Sequence, residues 1–142
     1  MMFTRIFTPL LLGVGLLLSA QLHAAEQKIG AWTVHYTALP STFLTPEIAR
    51  ANRIERSRYN GLLNIAVLDQ NGKTLQVSMT GQGKSLIGTI RKLEFQTIRE
   101  GDAIYYIAEY PYRNEDNVLF TIDIKSPEQG GELSFRHTFY TD

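Results

Sequence analysis

Arginines and tyrosines are the residues of this chain best placed to do chemistry at a surface. Arg50, Arg53, Arg56 and Arg58 stand close together, tempered by Glu55. The first three recur at helical spacing, which predicts one basic face able to meet an anionic glycan, a lipid headgroup or a partner's carboxylate. A solvated surface with ion pairs at a helix-to-strand junction is the competing use, and the many nearby acids favour it. Tyr105, Tyr106, Tyr110 and Tyr112 form the second concentration. Strand alternation sends Tyr106 and Tyr110 to one face and Tyr105 to the other. One face must be core, and the other can present aromatic rings to a peptide or sugar. The candidate interaction surface is therefore Arg53, Arg56, Arg58, Tyr59, Tyr105 and Tyr112.

Catalytic constellations are sparse. The chain has no cysteine and no Gly-x-Ser-x-Gly elbow, and no serine stands in a recognisable spacing with a histidine and an acid. Glu94, Glu100, Asp102 and Glu109 could converge as an acid pair for glycoside hydrolysis. Isolated acids at strand ends are more often solvated turn residues. His35 and His137 are the histidines beyond the leader, with Met79 the methionine there. Patterning puts His35 on a polar face and His137 on an apolar one, which argues against a shared metal site. Gly83-Lys84-Ser85 suggests a phosphate loop. That motif needs a glycine where Ser78 stands, and a helix where Leu86-Ile87-Gly88-Thr89-Ile90 follows. The expectation is no catalytic residue, no metal and no cofactor.

The elements that must position these residues can be read in order. Arg5, the uncharged stretch Leu10–Ala20 and the small residues up to Ala24 and Ala25 form a secretory signal peptide, with cleavage expected after Ala24. The apolar run is shorter than the ~20 residues of a spanning helix. No stable membrane anchor is expected after cleavage. The remaining domain, 25–142, must hold itself together by packing alone, since it has no disulfides. The 14 basic and 14 acidic residues of the full chain balance, so the surplus of cations that nucleic-acid binding requires is missing.

Trp32, Val34, Tyr36 and Ala38 alternate with polar residues, giving a strand over 29–39. Thr45, Pro46 and Glu47 announce a short helix reaching about Asn52. Everything after Asn60 reads as β. The segments 62–69 and 74–80 flank Asn71-Gly72 and predict a hairpin. Gly81, Gly83 and Gly88 predict a loose stretch. Further strands are expected at 90–98, 103–110, 118–124 and 133–139. The fold class is mainly β: an antiparallel two-sheet sandwich of about seven strands, immunoglobulin-like in architecture, with one short helix after the first strand. A barrel is the alternative.

Several runs carry a resemblance. They are Trp32-Thr33-Val34-His35-Tyr36, Ser41 to Ala49, Arg56-Ser57-Arg58-Tyr59, Leu63-Asn64-Ile65, Gly81 with Leu86-Ile87-Gly88, and Leu93-Glu94-Phe95. The most specific is Arg99-Glu100-Gly101-Asp102-Ala103-Ile104-Tyr105-Tyr106. Together they resemble a small exported bacterial family known as a domain of unknown function, DUF4426. The resemblance spans nearly all of 25–142 and implies a periplasmic, single-domain β-sandwich. It implies no activity, cofactor or catalytic residue. Asn52-Arg53-Ile54-Glu55 departs from it, because relatives tend to be more aromatic or glycine-bearing after the helix. The expected function is a non-catalytic module of the cell envelope that binds another envelope protein or a peptide, and not nucleic acid. An envelope glycan-acting enzyme using a carboxylate pair is the alternative.

Overall fold

Period-two patterning is realised as nine strands in a computed structural model that describes residues 25–141. The expected signal peptide, 1–24, lies outside the described residues. In chain order the strands are β1 (Ala25–Ile29), β2 (Trp32–Pro40), β3 (Asn60–Leu68), β4 (Ser78–Ser85) and β5 (Ile90–Leu93). They continue as β6 (Gln96–Glu100), β7 (Ala103–Pro111), β8 (Asp116–Lys125) and β9 (Gly130–Phe139). One sheet has the order β1-β2-β3-β7-β6 and the other β5-β4-β8-β9, with every pair antiparallel.

The two sheets press their apolar faces together. Val34, Leu63, Ile65 and Val67 of the first meet Val118, Phe120, Ile122, Ile124 and Leu133 of the second, all fully buried. Burying each such side chain is worth about 1.5–3 kcal/mol, so packing alone can replace absent disulfides. The two-sheet sandwich agrees with the sequence reading, and the short α-helix falls where expected.

Two extra strands have simple causes. β1 is a polar edge strand whose composition, AEQKI, gave no strand signal, yet it folds back on β2 through the Gly30-Ala31 turn. The expected strand over 90–98 is divided at Glu94-Phe95: β5 belongs to one sheet and β6 to the other.

The expected hairpin over 62–69 and 74–80 is corrected. Its turn forms, with Gly72 at φ 82° and Asp69 Oδ1 accepting from the Asn71 and Lys73 amides at 2.8 and 3.0 Å. Pairing then ends at the single bridge Leu68–Thr74. From Asn60 to Ile65, β3 already has β2 on one side and β7 on the other, so no edge is left to pair. The chain crosses instead to the second sheet. Tyr106 pins the crossing, its hydroxyl accepting from the Val77 amide at 2.7 Å and donating to the Leu75 carbonyl at 3.3 Å.

The stretch around Gly81 and Gly83, expected to be loose, is central strand β4. Both glycines face the core where neighbouring atoms, the opposing Tyr110 ring at Gly83 and the adjacent strand β8 at Gly81, come too close for a side chain. A Cβ at Gly83 would lie 2.6 Å from the Tyr110 ring, and one at Gly81 would lie 2.7 Å from the Thr121 carbonyl oxygen.

Helix α1 (Pro46–Ala51) follows a 3-10 turn at Ser41–Phe43. Thr45 Oγ1 accepts from the Ile48 amide at 3.2 Å, and Pro46 opens the helix. The helix lies on the outer face of the five-stranded sheet. There Leu44, Ala49 and Ile54 cover Leu39, Leu62 and Ile107 as a second apolar cluster.

Candidate functional site

Antiparallel register gathers one set of strand ends at one pole of the sandwich. The end of β2, the start of β3 and the end of β7 come together in the first sheet: Pro40 pairs with Gly61, and Asn60 with Pro111. In the second sheet the same pole holds the end of β4, the start of β5, the start of β8 and the end of β9. Hydrogen bonds stitch the pole together. The Tyr112 amide donates to the Tyr59 carbonyl at 2.9 Å, the Leu86 amide to the Asn117 carbonyl at 3.1 Å, and the Thr141 amide to Asn114 Oδ1 at 2.9 Å.

Exposure picks out this pole. Among the described residues, six large hydrophobic side chains are more than half exposed: Phe43, Tyr59, Leu86, Ile87, Ile90 and Tyr140. All six lie at this pole. Leu86 and Ile87 stand furthest out, 72% and 83% exposed, at the tip of the β4–β5 turn. A hydrophobic tip in such a turn contributes nothing to the core, and its clustering with other exposed apolar groups makes this pole the candidate contact surface.

Beside the tip is a recess of about 170 Å³ lined by Ile87, Arg91, Tyr110, Tyr112, Arg113 and Asp116, among others. Tyr110 forms its floor and is held by an edge contact with Phe120 and a stacked one with Phe139, at centroid distances of 5.1 and 5.9 Å. Arg91 lies 6.0 Å from the centre of the Tyr110 ring. Burial, reinforced by the Asp116 carboxylate and opposed by Arg91, keeps the Tyr110 phenol above its usual pKa. The recess therefore offers two guanidinium groups against one carboxylate, with neutral phenols behind them. Arg58 stands nearby, its guanidinium 5.3 Å from the Tyr59 ring.

The residues proposed from sequence divide among different tasks. Arg58 and Tyr59 are exposed at this pole. Arg56 is spent on structure: its Nε donates to the Leu44 carbonyl at 2.7 Å and its Nη2 to the Thr42 carbonyl at 3.2 Å. Arg53 is exposed but sits past the end of α1 with φ 58°, so Arg50, Arg53 and Arg56 do not share one helical face. Tyr112 is buried, stacked on Phe139 at 4.3 Å, and reaches the pole only as part of the recess wall. Tyr105 is on the other face of β7 beside Glu100, far from Tyr112; seven strand residues span about 23 Å. Sequence reasoning missed Leu86, Ile87, Arg91 and Arg113. The apolar pair Leu86-Ile87 between Gly83 and Gly88 was the signal that could have found the first two; nothing local pointed to Arg91 and Arg113.

The alternative constellations do not assemble. Glu109 accepts from Asn60 Nδ2 at 2.7 Å on the outer face of the first sheet, whereas Glu100 and Asp102 flank the turn at the opposite pole. His35 points outward, 3.4 Å from Glu26, while His137 faces inward against Phe139 at 4.6 Å. Among the described residues no three His, Cys, Asp or Glu side chains group as a metal site. Gly83–Ser85 is strand, with no helix after it.

The family profile described as a domain of unknown function, DUF4426, matches residues 26–142. The chain belongs to the DUF4426 family. A crystal structure of a DUF4426 family protein from Pseudomonas aeruginosa is similar, with 32% identity and a TM-score of 0.76 over 84% of this chain and 96% of that one. Two structures of FetP from uropathogenic Escherichia coli strain F11 share the fold at far lower identity. The first, FetP as isolated after expression in the periplasm, is 9% identical with a TM-score of 0.63, covering 83% of this chain and 95% of that one. The second, a copper-bound variant, is 10% identical with a TM-score of 0.61, covering 81% and 93%. No curated protein matches the sequence. Among the described residues of this DUF4426 domain, no helix is long and apolar enough to cross a membrane.

Proposed function

We propose that this DUF4426 domain is a non-catalytic interaction module of the periplasm that docks another envelope protein through its Leu86–Ile87 pole. The single observation behind the reading is convergence: all six of the strongly exposed large hydrophobic side chains among the described residues stand at that pole. Arg58, Arg91 and Arg113 surround them, so the partner segment is expected to combine apolar side chains with a carboxylate. Small recesses between rigid strand ends suit a few anchoring side chains better than an extended substrate. One FetP structure of similar fold comes from protein expressed in the periplasm, which is compatible with an exported domain of this kind.

Affinity capture from envelope extracts tests the reading with two variants in parallel. Leu86→Ser with Ile87→Ser should abolish capture of a saturable protein partner, and Arg91→Ala with Arg113→Ala should weaken it about tenfold or more. Glu128→Ala, at the opposite pole, should leave capture intact. Retained capture by the Leu86/Ile87 variant overturns the proposal, as does binding to protein-free anionic vesicles as strong as binding to the extract.

A further inference from the structure

A second concavity lies away from that pole, on the outer face of the five-stranded sheet. It holds about 210 Å³ between α1 and strands β6 and β7. Leu44, Ile48, Ala51, Ile54, Ile98 and Ile107 form an apolar wall, and the polar groups are confined to Glu47, Glu100 and Asn52. Both glutamates are exposed, and among the described residues neither has a cation within ion-pair distance. The helix covers only part of the sheet here, because α1 is six residues long and turns away at Arg53. An apolar recess of this size accommodates slightly more than one benzene ring, for which about 150 Å³ is enough.

From this geometry we infer that the recess binds a small organic cation: a hydrocarbon body of about one ring joined to an ammonium group. The body displaces water from the isoleucine wall, and the ammonium lies at the mouth between Glu47 and Glu100. An anionic ligand of the same shape meets two carboxylates and no cation, so charge discriminates where shape cannot. This inference is independent of the docking pole, since no lining residue is shared.

The test is a titration of the isoleucine-methyl-labelled domain, followed by NMR, with 2-phenylethylammonium, phenylacetate and benzyl alcohol. The ammonium should shift the methyl resonances of Ile48, Ile98 and Ile107 with a Kd on the order of millimolar. Phenylacetate should bind roughly tenfold more weakly, with benzyl alcohol between them. Glu47→Gln with Glu100→Gln should reduce ammonium affinity about fivefold to tenfold and remove the preference over phenylacetate. Ala51→Leu, which fills the mouth with a good helix former, should abolish binding while the other methyl resonances stay in place. Equal shifts from all three probes, shifts elsewhere only, or none from the ammonium overturn the inference.

Discussion

A methyl group added at Gly83 meets two rings that have nowhere to go. Its Cβ would lie 2.6 Å from Tyr110 Cε1 and 2.9 Å from Phe120 Cε1. Comfortable carbon contacts are about 3.5–4.0 Å, so the rings must retreat by roughly 1 Å. Tyr110 and Phe120 are both fully buried, and Phe139 packs against both rings. Overpacking of this kind costs about 1–3 kcal/mol. Gly83 has no positive φ, so alanine is not strained there, and a less flexible unfolded chain returns about 0.4–1 kcal/mol. Gly83→Ala should therefore destabilise the domain by about 1–2 kcal/mol, lowering Tm by roughly 4–8 °C. Urea unfolding followed by the fluorescence of Trp32, the chain's only tryptophan and a buried one, measures the change. Adding Phe120→Leu should recover part of the loss, because it clears one of the two clashes. An alanine variant as stable as the parent would refute the close-approach argument and, with it, the inward placement of β4.

Other outcomes follow from single residues. Tyr106→Phe removes the hydroxyl that pins the crossing at Leu75 and Val77, which should cost about 1–3 kcal/mol; an unchanged urea midpoint would contradict that role. Arg53→Gly should stabilise by about 1 kcal/mol, because Arg53 takes the left-handed position after α1 while the Ile54 amide bonds the Ala49 carbonyl at 2.8 Å. A loss of stability instead would show that the arginine side chain makes a contact worth more than its strain. Burial lowers the His137 pKa, so the unfolded chain takes up a proton more readily than the folded one. Stability should then be free of this effect above about pH 6.5 and decline as pH falls below it. His137→Gln should flatten that decline between about pH 7 and pH 5, measured by urea midpoints, and an unchanged slope would remove His137 as its source.

Legibility followed periodicity. Strands with clear alternation, such as Trp32 to Ala38 and Val118 to Ile124, were visible because period two and burial coincide. The helix was visible because its cap is local chemistry: Thr45, Pro46 and Glu47 carry it without tertiary help. What escaped depends on long-range neighbours. Whether Leu75 and Val77 continue a hairpin is decided by β7, which already occupies the β3 edge. Gly81 and Gly83 read as loop formers in isolation and as close-packed strand only once Tyr110, Phe120 and Thr121 lie opposite them. The surface divided similarly. Arg58 and Tyr59 were found by composition, but Arg91 and Arg113 are distant in sequence and meet only because packing of the two sheets brings β5 of one beside the turn that follows β7 of the other.

Site-specific photo-crosslinking in cells exporting this chain tests the docking pole most directly. A benzophenone side chain placed at Ile87 or Tyr140 should yield one defined adduct with another envelope protein, and the same group at Glu128 should yield none. Adducts from Glu128 matching those from Ile87, or no protein adduct from either residue at the pole, would contradict the account.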